Sequence, residues 1–142
     1  MFEDDIEVHR GYFDYVLTCL HKHVFTGPNR ERDKGYYTNH LFGISLTTPR
    51  YDETSIPRKA WTPDSQIGTE EPFFLFQLAC SWGALYFPWT WRRYLAYYQW
   101  RTALTLPKKI DVIPFSYVNI WERSWKRYLQ ELMFMTGGVM LY

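Results

Sequence analysis

The chain has 142 residues, which is enough for one folded domain but too few for two independent cores. It carries 16 Lys and Arg residues against 15 Asp and Glu residues, so its charge gives no reason to expect a nucleic-acid or anionic-membrane partner. Aromatic residues make up 20% of the chain, which favours an aromatic core or a surface that stacks on rings.

The chain opens with MFEDDIEVH, in which Glu3, Asp4 and Asp5 stand side by side after an apolar pair. These acids are either solvated charges that cap the following helix, or carboxylates that a buried strand delivers to the carboxyl edge of a sheet, where open α/β sheets bind ligands. Hard cations such as Mg²⁺ and Mn²⁺ prefer carboxylate oxygens. The pattern by itself leaves both interpretations open.

Both ends of the sequence have the pattern of interrupted strands. The apolar pair Met1 and Phe2 precedes the acids, and GGVMLY at residues 137–142 is an apolar run without a polar tail. We therefore expect the sequence to be an internal piece of a larger protein or a truncated gene product.

The first half of the chain alternates between helical and extended patterns. A helix is predicted over residues 10–24, because four apolar residues recur there at helical spacing: Phe13, Val16, Leu17 and Leu20. HLFGISLTT, residues 40–48, predicts a strand. Residues 49–72 form a long irregular connection, and a connection of that length is usually functional or mobile.

The second half predicts two strands, two helices and a final strand. FFLFQLACS (73–81) and ALYF (84–87) have strand length. Amphipathic patterns predict helices over residues 89–104 and 120–135, and GGVMLY predicts the last strand. This alternation indicates a single mixed α/β domain over residues 1–142.

The two cysteines, Cys19 and Cys80, are far apart and in apolar surroundings, so neither a metal finger nor a redox pair is indicated. A disulfide between them stays an open alternative. No run approaches the 18 apolar residues of a membrane helix, and no basic region followed by an apolar stretch marks a signal peptide. No membrane segment is therefore expected in this chain.

Several blocks of the sequence resemble GT-A glycosyltransferases, which transfer a sugar from a nucleotide sugar to an acceptor. FEDDIEVHRGYFDYV resembles their D-x-D segment, and GISLTTPRYDE is similar to the strand that follows the metal site. CSWGALYFPWTWRRYLAYYQWR and NIWERSWKRYLQELMFMTGGVMLY are similar to later blocks of one eukaryotic branch. The resemblance implies an incomplete GT-A-like (Rossmann-like) mixed sheet flanked by helices, with the N-terminal nucleotide-binding half missing.

The resemblance also implies a metal and a donor. Asp5 and Glu3 would bind Mn²⁺ or Mg²⁺, and Glu3 or Asp4 would reach the metal through water or contact the donor ribose. The metal would neutralise charge on the departing diphosphate of the nucleotide sugar. The parent enzyme would belong to the secretory pathway, in the Golgi or the endoplasmic reticulum, with a membrane anchor upstream.

An inverting transfer also needs a carboxylate that deprotonates the acceptor hydroxyl. The resemblance favours Glu122 for this role, with Glu131 and the Asp52 and Glu53 pair as alternatives. Glu122 is equally well explained as an exposed residue in the first turn of a helix, where the helix dipole favours a negative charge.

The acceptor, a glycan or another hydroxyl compound, would contact Trp82, Gly83 and Trp121. Glycine permits close backbone approach and tryptophan stacks on a sugar face. Trp82 filling the core is the alternative. Four basic residues have two interpretations, as phosphate ligands or as a solvated helix face: Arg92, Arg93, Lys126 and Arg127.

A different class of function remains open. The aromatic residues would also suit a non-catalytic module that binds a glycan or a protein, with the acids as a helix cap. An inactive truncated gene product is the third possibility. The sequence identifies neither the sugar nor the acceptor.

Overall fold

The computed structural model describes residues 7, 9–25, 40–68, 73–104 and 110–142. They form a mixed α/β fold with a four-stranded mixed sheet and helices, as predicted at the level of fold class. The acidic segment Glu3, Asp4 and Asp5 lies outside the described residues, and so does the strand expected at Met1 and Phe2.

The elements follow one another in a simple order along the chain. Helix α1 (Tyr12–Cys19) continues as a π-helical segment, Leu20–Phe25. The remaining elements are β1 (Leu41–Ser45), β2 (Tyr51–Asp52), β3 (Lys59–Ala60), the short helix α2 (Pro63–Gln66), β4 (Leu75–Phe76), β5 (Ala84–Tyr86), α3 (Pro88–Ala103), a 3₁₀ turn (Tyr117–Ile120), α4 (Trp125–Thr136) and β6 (Val139–Leu141).

The main sheet has the strand order β4-β6-β1-β5. Strands β1 and β6 are parallel, while β5 and β4 are antiparallel to their neighbours. All five residues of β1 are buried, as expected for a central strand with both faces covered. Gly43 is required in this strand, because a Cβ there would overlap the carbonyl oxygen of Leu85 in β5.

The core consists of two clusters, and successive residues of β1 and of β6 belong to different clusters. Phe42 and Met140 belong to the cluster under α3 and α4, whereas Leu41 and Leu141 belong to the cluster with Cys19 of α1. Ile44 joins the second cluster, since the pairing of β1 with β6 is irregular between Leu41 and Gly43. Successive residues of a strand point to opposite faces of the sheet. The sheet is therefore covered by α3 and α4 on one face and by α1 on the other.

Local sequence signals explain the ends of the two long helices. Pro88 begins α3, where its missing N–H and fixed φ are tolerated. Helix α4 ends at Gly137, whose φ of 66° is the left-handed conformation that glycine adopts readily, and Gly138 donates its N–H to Met133 O at 2.7 Å.

The structure differs from the sequence prediction in three segments. Residues 121–124 are not helical: Ile120 ends the 3₁₀ turn and α4 begins only at Trp125. Of residues 73–81, only Leu75 and Phe76 form strand β4, and Phe74 extends the pairing by exchanging two backbone hydrogen bonds with Tyr142 at 3.0 and 2.9 Å. Beyond Phe76 the Gln130 side chain accepts from Ala79 N at 2.8 Å and donates to Gln77 O at 2.8 Å. The long connection contains β2, β3 and α2.

Candidate functional site

A cleft of about 750 Å³ opens where the parallel strands β1 and β6 end. Open α/β sheets bind ligands at this edge, because the loops that follow parallel strands diverge there. The lining residues come from five places: the segment between β1 and α2, the segment before β5, the turn before β5, the first turn of α4 and the residue after β6. They are Thr47 to Tyr51, Glu53, Arg58, Trp61 to Pro63, Leu78 to Cys80, Trp82, Lys126 and Tyr142.

Glu53 and Lys126 form an ion pair in the wall of the cleft. Lys126 lies in the first turn of α4, and its Nζ is 2.5 Å from Glu53 Oε2. The same Nζ lies 5.1 Å from the ring centroid of Trp121, close enough for a cation–π contact. Lys126 is 7% exposed, and a lysine that buried requires a partner for its charge. These two contacts connect the wall of the cleft to Trp121 in the turn before α4.

Arg58 lies between two tyrosine rings. Its Cζ is 4.8 Å from the centroid of Tyr51 and 4.8 Å from the centroid of Tyr117. The Arg58 side chain is exposed, and cation–π contacts at an exposed site contribute about 0.5–1 kcal/mol each. Arg58 therefore adds a positive charge to the lining of the cleft, and the two tyrosines favour one position for it.

Trp82 lines the cleft, whereas its neighbour Gly83 is not among the lining residues. Trp82 is 67% exposed and lines the cleft, so the alternative that it fills the core is wrong. Gly83 has a φ of 141°, which favours glycine, and its carbonyl accepts from Leu46 N at 3.0 Å. This hydrogen bond fixes the turn that carries Trp82 to the end of β1.

The neighbouring carboxylate of Asp52 is held by its own turn. Its Oδ1 accepts from the Thr54 hydroxyl at 2.6 Å and from Thr54 N at 2.9 Å. Burial raises the pKa of Asp52, but the hydrogen bonds from Thr54 and Ser55 outweigh burial and bring the pKa below its usual value. Asp52 therefore stabilises the loop that carries Glu53, whose carboxylate lines the cleft.

The other two candidate bases lie elsewhere. Glu122 is exposed in the turn before α4 and is not among the residues that line the cleft. Glu131 is fully buried and accepts from Arg127 Nε at 3.0 Å, Arg101 Nε at 3.2 Å and Tyr97 OH at 2.8 Å. The structure therefore places Glu53 in the cleft, and Glu131 in a buried charge network.

Two of the four basic residues are not on a solvated face. Lys126 is 7% and Arg127 is 3% exposed, so the solvated-face interpretation is wrong for both. Arg127 donates to the carbonyls of Asn119 at 2.9 Å and Ile110 at 3.2 Å, which ties the segment before Trp121 to α4. Arg92 and Arg93 are exposed on α3.

Among the residues that the structure describes, no three His, Cys, Asp or Glu side chains are close enough to hold a metal ion. The metal prediction rests on Glu3, Asp4 and Asp5, which are outside them. Cys19 and Cys80 are buried free thiols. In the described part of the chain, no helix is both long and apolar enough to cross a membrane.

Comparison of the chain with protein-family models, with curated proteins and with solved structures finds no match.

Sequence reasoning found only part of this cleft. It selected Trp82, and it weighed Glu53 and Lys126 among the alternatives, but it passed over Arg58 and Trp61. The other two predicted acceptor residues, Gly83 and Trp121, are not among the residues that line the cleft. The available signal was the length of the connection at residues 49–72, which predicted a functional or mobile loop. Which side chains of that loop face the cleft depends on packing against α4 and the 3₁₀ turn.

Proposed function

We propose that this chain forms the acceptor side of a GT-A-type glycosyltransferase and that the cleft at the ends of β1 and β6 binds the hydroxyl acceptor. The observation that carries the proposal is the cleft, because Trp82 and Glu53, which the sequence reasoning had considered for binding and proton transfer, both line it. The mixed α/β sheet supports a GT-A-like architecture at the level of fold class.

In this proposal Trp82 stacks on the acceptor ring. Its indole is 67% exposed, so a ligand can cover it without moving the core. Aromatic faces pair well with the apolar faces of sugar rings, and stacking contributes about 0.5–1.5 kcal/mol beyond the buried area. Trp121 is connected to the same site through its contact with Lys126.

Glu53 replaces Glu122 as the proposed general base. In an inverting transfer its carboxylate accepts the proton of the acceptor hydroxyl while that oxygen bonds to the anomeric carbon of the donor and the nucleoside diphosphate departs. Lys126 holds the carboxylate through the 2.5 Å ion pair.

The metal expected in such a site would bind the carboxylates of Glu3, Asp4 and Asp5, whose hard oxygen donors suit Mn²⁺ or Mg²⁺. When bound, it would neutralise charge on the leaving diphosphate of the nucleotide sugar. We expect Mn²⁺ to raise the melting temperature of the full chain and Asp5→Asn to remove that effect. At a metal concentration 100 times Kd the stabilisation is about 2.7 kcal/mol. A melting temperature indifferent to Mn²⁺ would contradict the metal assignment.

Binding tests the acceptor cleft directly. Titration of the full chain with a panel of neutral and charged monosaccharides and disaccharides, followed by NMR shifts of the tryptophan indoles, should show saturable binding. Trp82→Ala should weaken it about 3- to 10-fold, as expected for loss of ring stacking. Trp100→Ala is the matched control, because Trp100 is 59% exposed on α3 and does not line the cleft. Equal effects of the two variants would refute the proposed site.

Turnover tests the catalytic part. With a panel of nucleotide sugars and a bound acceptor, Glu53→Gln should lower the rate by about 10²–10⁴-fold and leave acceptor binding in place. Glu122→Gln should have a small effect. The reverse result would restore Glu122 as the base.

A non-catalytic binding module is the second candidate, and the Glu53–Lys126 ion pair is the observation that favours it. Glu53 carries the sole side-chain carboxylate in the described lining of the cleft, and it is already engaged with an ammonium group. A module predicts saturable sugar binding without turnover and without a response to Mn²⁺.

A further inference from the structure

The charge of the cleft is uneven. Three cationic side chains line it, Arg50, Arg58 and Lys126, against the single carboxylate of Glu53. Lys126 and Glu53 are paired with each other. Within the described residues, no carboxylate forms an ion pair with Arg50 or Arg58. The described lining of the cleft is therefore positively charged.

The position of Arg58 makes it suited to bind an anion. Tyr51 and Tyr117 each contact the guanidinium with the ring centroid 4.8 Å from Cζ, which favours one position of this exposed side chain before any ligand binds. In the described part of the chain, no group accepts a hydrogen bond from its N–H donors. A planar guanidinium offers two parallel N–H bonds to a carboxylate or a phosphate, and a preorganised donor loses little entropy on binding.

An apolar surface lies in the same cleft. Trp61 packs on Phe76 with ring centroids 4.7 Å apart and is only 9% exposed, so it forms part of the wall and offers little area to a ligand. The indole of Trp82 is 67% exposed and also lines the cleft. A ligand that fits both features has a ring for Trp82 and an anionic group for the arginines.

We infer that the cleft selects a sugar that carries an oxyanion, either a carboxylate or a phosphate, and that Arg58, supported by Arg50, recognises the oxyanion. The inference rests on the proposed acceptor cleft and adds the chemical class of its ligand. Recognition by a charge-assisted pair of hydrogen bonds should favour the anionic sugar over its neutral counterpart by about tenfold or more.

The experiment is an NMR titration of the full chain with four probes: glucose, glucuronic acid, glucose 6-phosphate and inorganic phosphate. Glucose and glucuronic acid are a matched pair that differ in one carboxylate. We expect at least one anionic sugar to bind about tenfold more tightly than glucose, and the stronger of the two identifies the oxyanion. The preference should shrink as salt is added, because exposed charges are screened.

Three variants separate the roles of the residues. Arg58→Gln should remove the preference for the anionic sugar and leave glucose binding unchanged. Tyr117→Leu removes one side of the arginine clamp without changing charge and should reduce the preference in part. Arg92→Gln, an exposed arginine on α3 away from the cleft, should change nothing.

The outcomes distinguish this inference from the proposed function. If glucose and both anionic sugars bind equally, the oxyanion inference is wrong and the acceptor cleft stands. If inorganic phosphate binds as tightly as glucose 6-phosphate, the ring contributes nothing and the inference is also wrong. If none of the three sugars binds, the proposed acceptor cleft fails together with it.

Discussion

Glu131→Gln is the substitution that should destabilise the fold most clearly through charge. Glu131 is fully buried, and its two oxygens accept from Arg127 Nε at 3.0 Å, Arg101 Nε at 3.2 Å and Tyr97 OH at 2.8 Å. An amide of the same size removes the negative charge that both guanidinium groups share, and Arg127 then keeps only the exposed carboxylate of Asp111, 3.6 Å from its Nη2. We expect the loss to weaken the segment at residues 110–120 as well, because both arginines donate to Ile110 O.

The expected loss of stability in Glu131→Gln follows from the burial of the Glu131 carboxylate and its arginine partners. Removing one partner of a buried ion pair costs about 3–5 kcal/mol, because the remaining charge is desolvated and uncompensated. A chain of 142 residues has a total stability of about 7–20 kcal/mol. Glu131→Gln should therefore remove a large fraction of the stability and lower the melting temperature by on the order of 10 °C.

Urea unfolding followed by circular dichroism measures this change. The midpoint should fall while the m-value stays constant, since the surface exposed on unfolding is unchanged. Tyr97→Phe removes one hydrogen bond and keeps both ion pairs, so it should cost about 1 kcal/mol. Asp14→Asn, on the exposed side of α1, should stay within about 0.5 kcal/mol of the parent. A loss below about 1 kcal/mol for Glu131→Gln would show that the buried charges do not stabilise the fold.

Gly43→Ala should destabilise the protein by about 1–3 kcal/mol in urea unfolding, because the new methyl group overlaps a carbonyl oxygen of β5, whereas Gly11→Ala meets only ordinary contacts and should be close to neutral. Burial raises the pKa of Tyr94 from 10.0 to about 12, so the unfolded chain loses the phenol proton at a lower pH than the folded chain does. The free energy of unfolding should therefore fall as pH rises from about 10 to about 12, and Tyr94→Phe should make that fall shallower. Cys19 and Cys80 are buried free thiols, so both should react slowly with a thiol reagent in the native protein and completely in urea. A disulfide between them in the native protein would contradict this prediction.

The spacing of apolar residues was sufficient to locate two of the helices and two of the strands, and their order predicted the fold class. Apolar periodicity located the helix at Tyr12–Cys19 and the helix at Pro88–Ala103, and short apolar runs located the strands at Leu41–Ser45 and Val139–Leu141. These patterns are local, and for the first helix they located the element without predicting its buried face: Phe13 is 58% and Leu17 is 48% exposed, whereas Cys19 is buried. The mixed α/β class follows from their order along the chain.

The beginning of α4 was not predictable in the same way. Residues 120–135 keep helical periodicity throughout, yet the helix begins at Trp125, because Ser124 precedes it in an extended conformation and residues 117–120 form a 3₁₀ turn held by Arg127 and Ser116. The burial of Lys126 and Arg127 was also not predictable from periodicity alone. Arg127 pairs with Glu131, 4 residues away on the same helix, but Lys126 pairs with Glu53, 73 residues away. Sequence periodicity carries no information about a partner at that separation.

By itself, then, the amino-acid sequence indicated the approximate positions of the main helices and strands, the mixed α/β class, and the tryptophans and acids that are candidates for binding. It did not predict β2, β3 or α2. The tertiary structure alone decided that Glu53 and Trp82 share a cleft while Glu122 lies outside it, and that Arg58 lies between Tyr51 and Tyr117. The reason is physical. Propensity and periodicity act over a few neighbouring residues, whereas a cleft is formed by segments that the sheet brings together from positions 47 to 142.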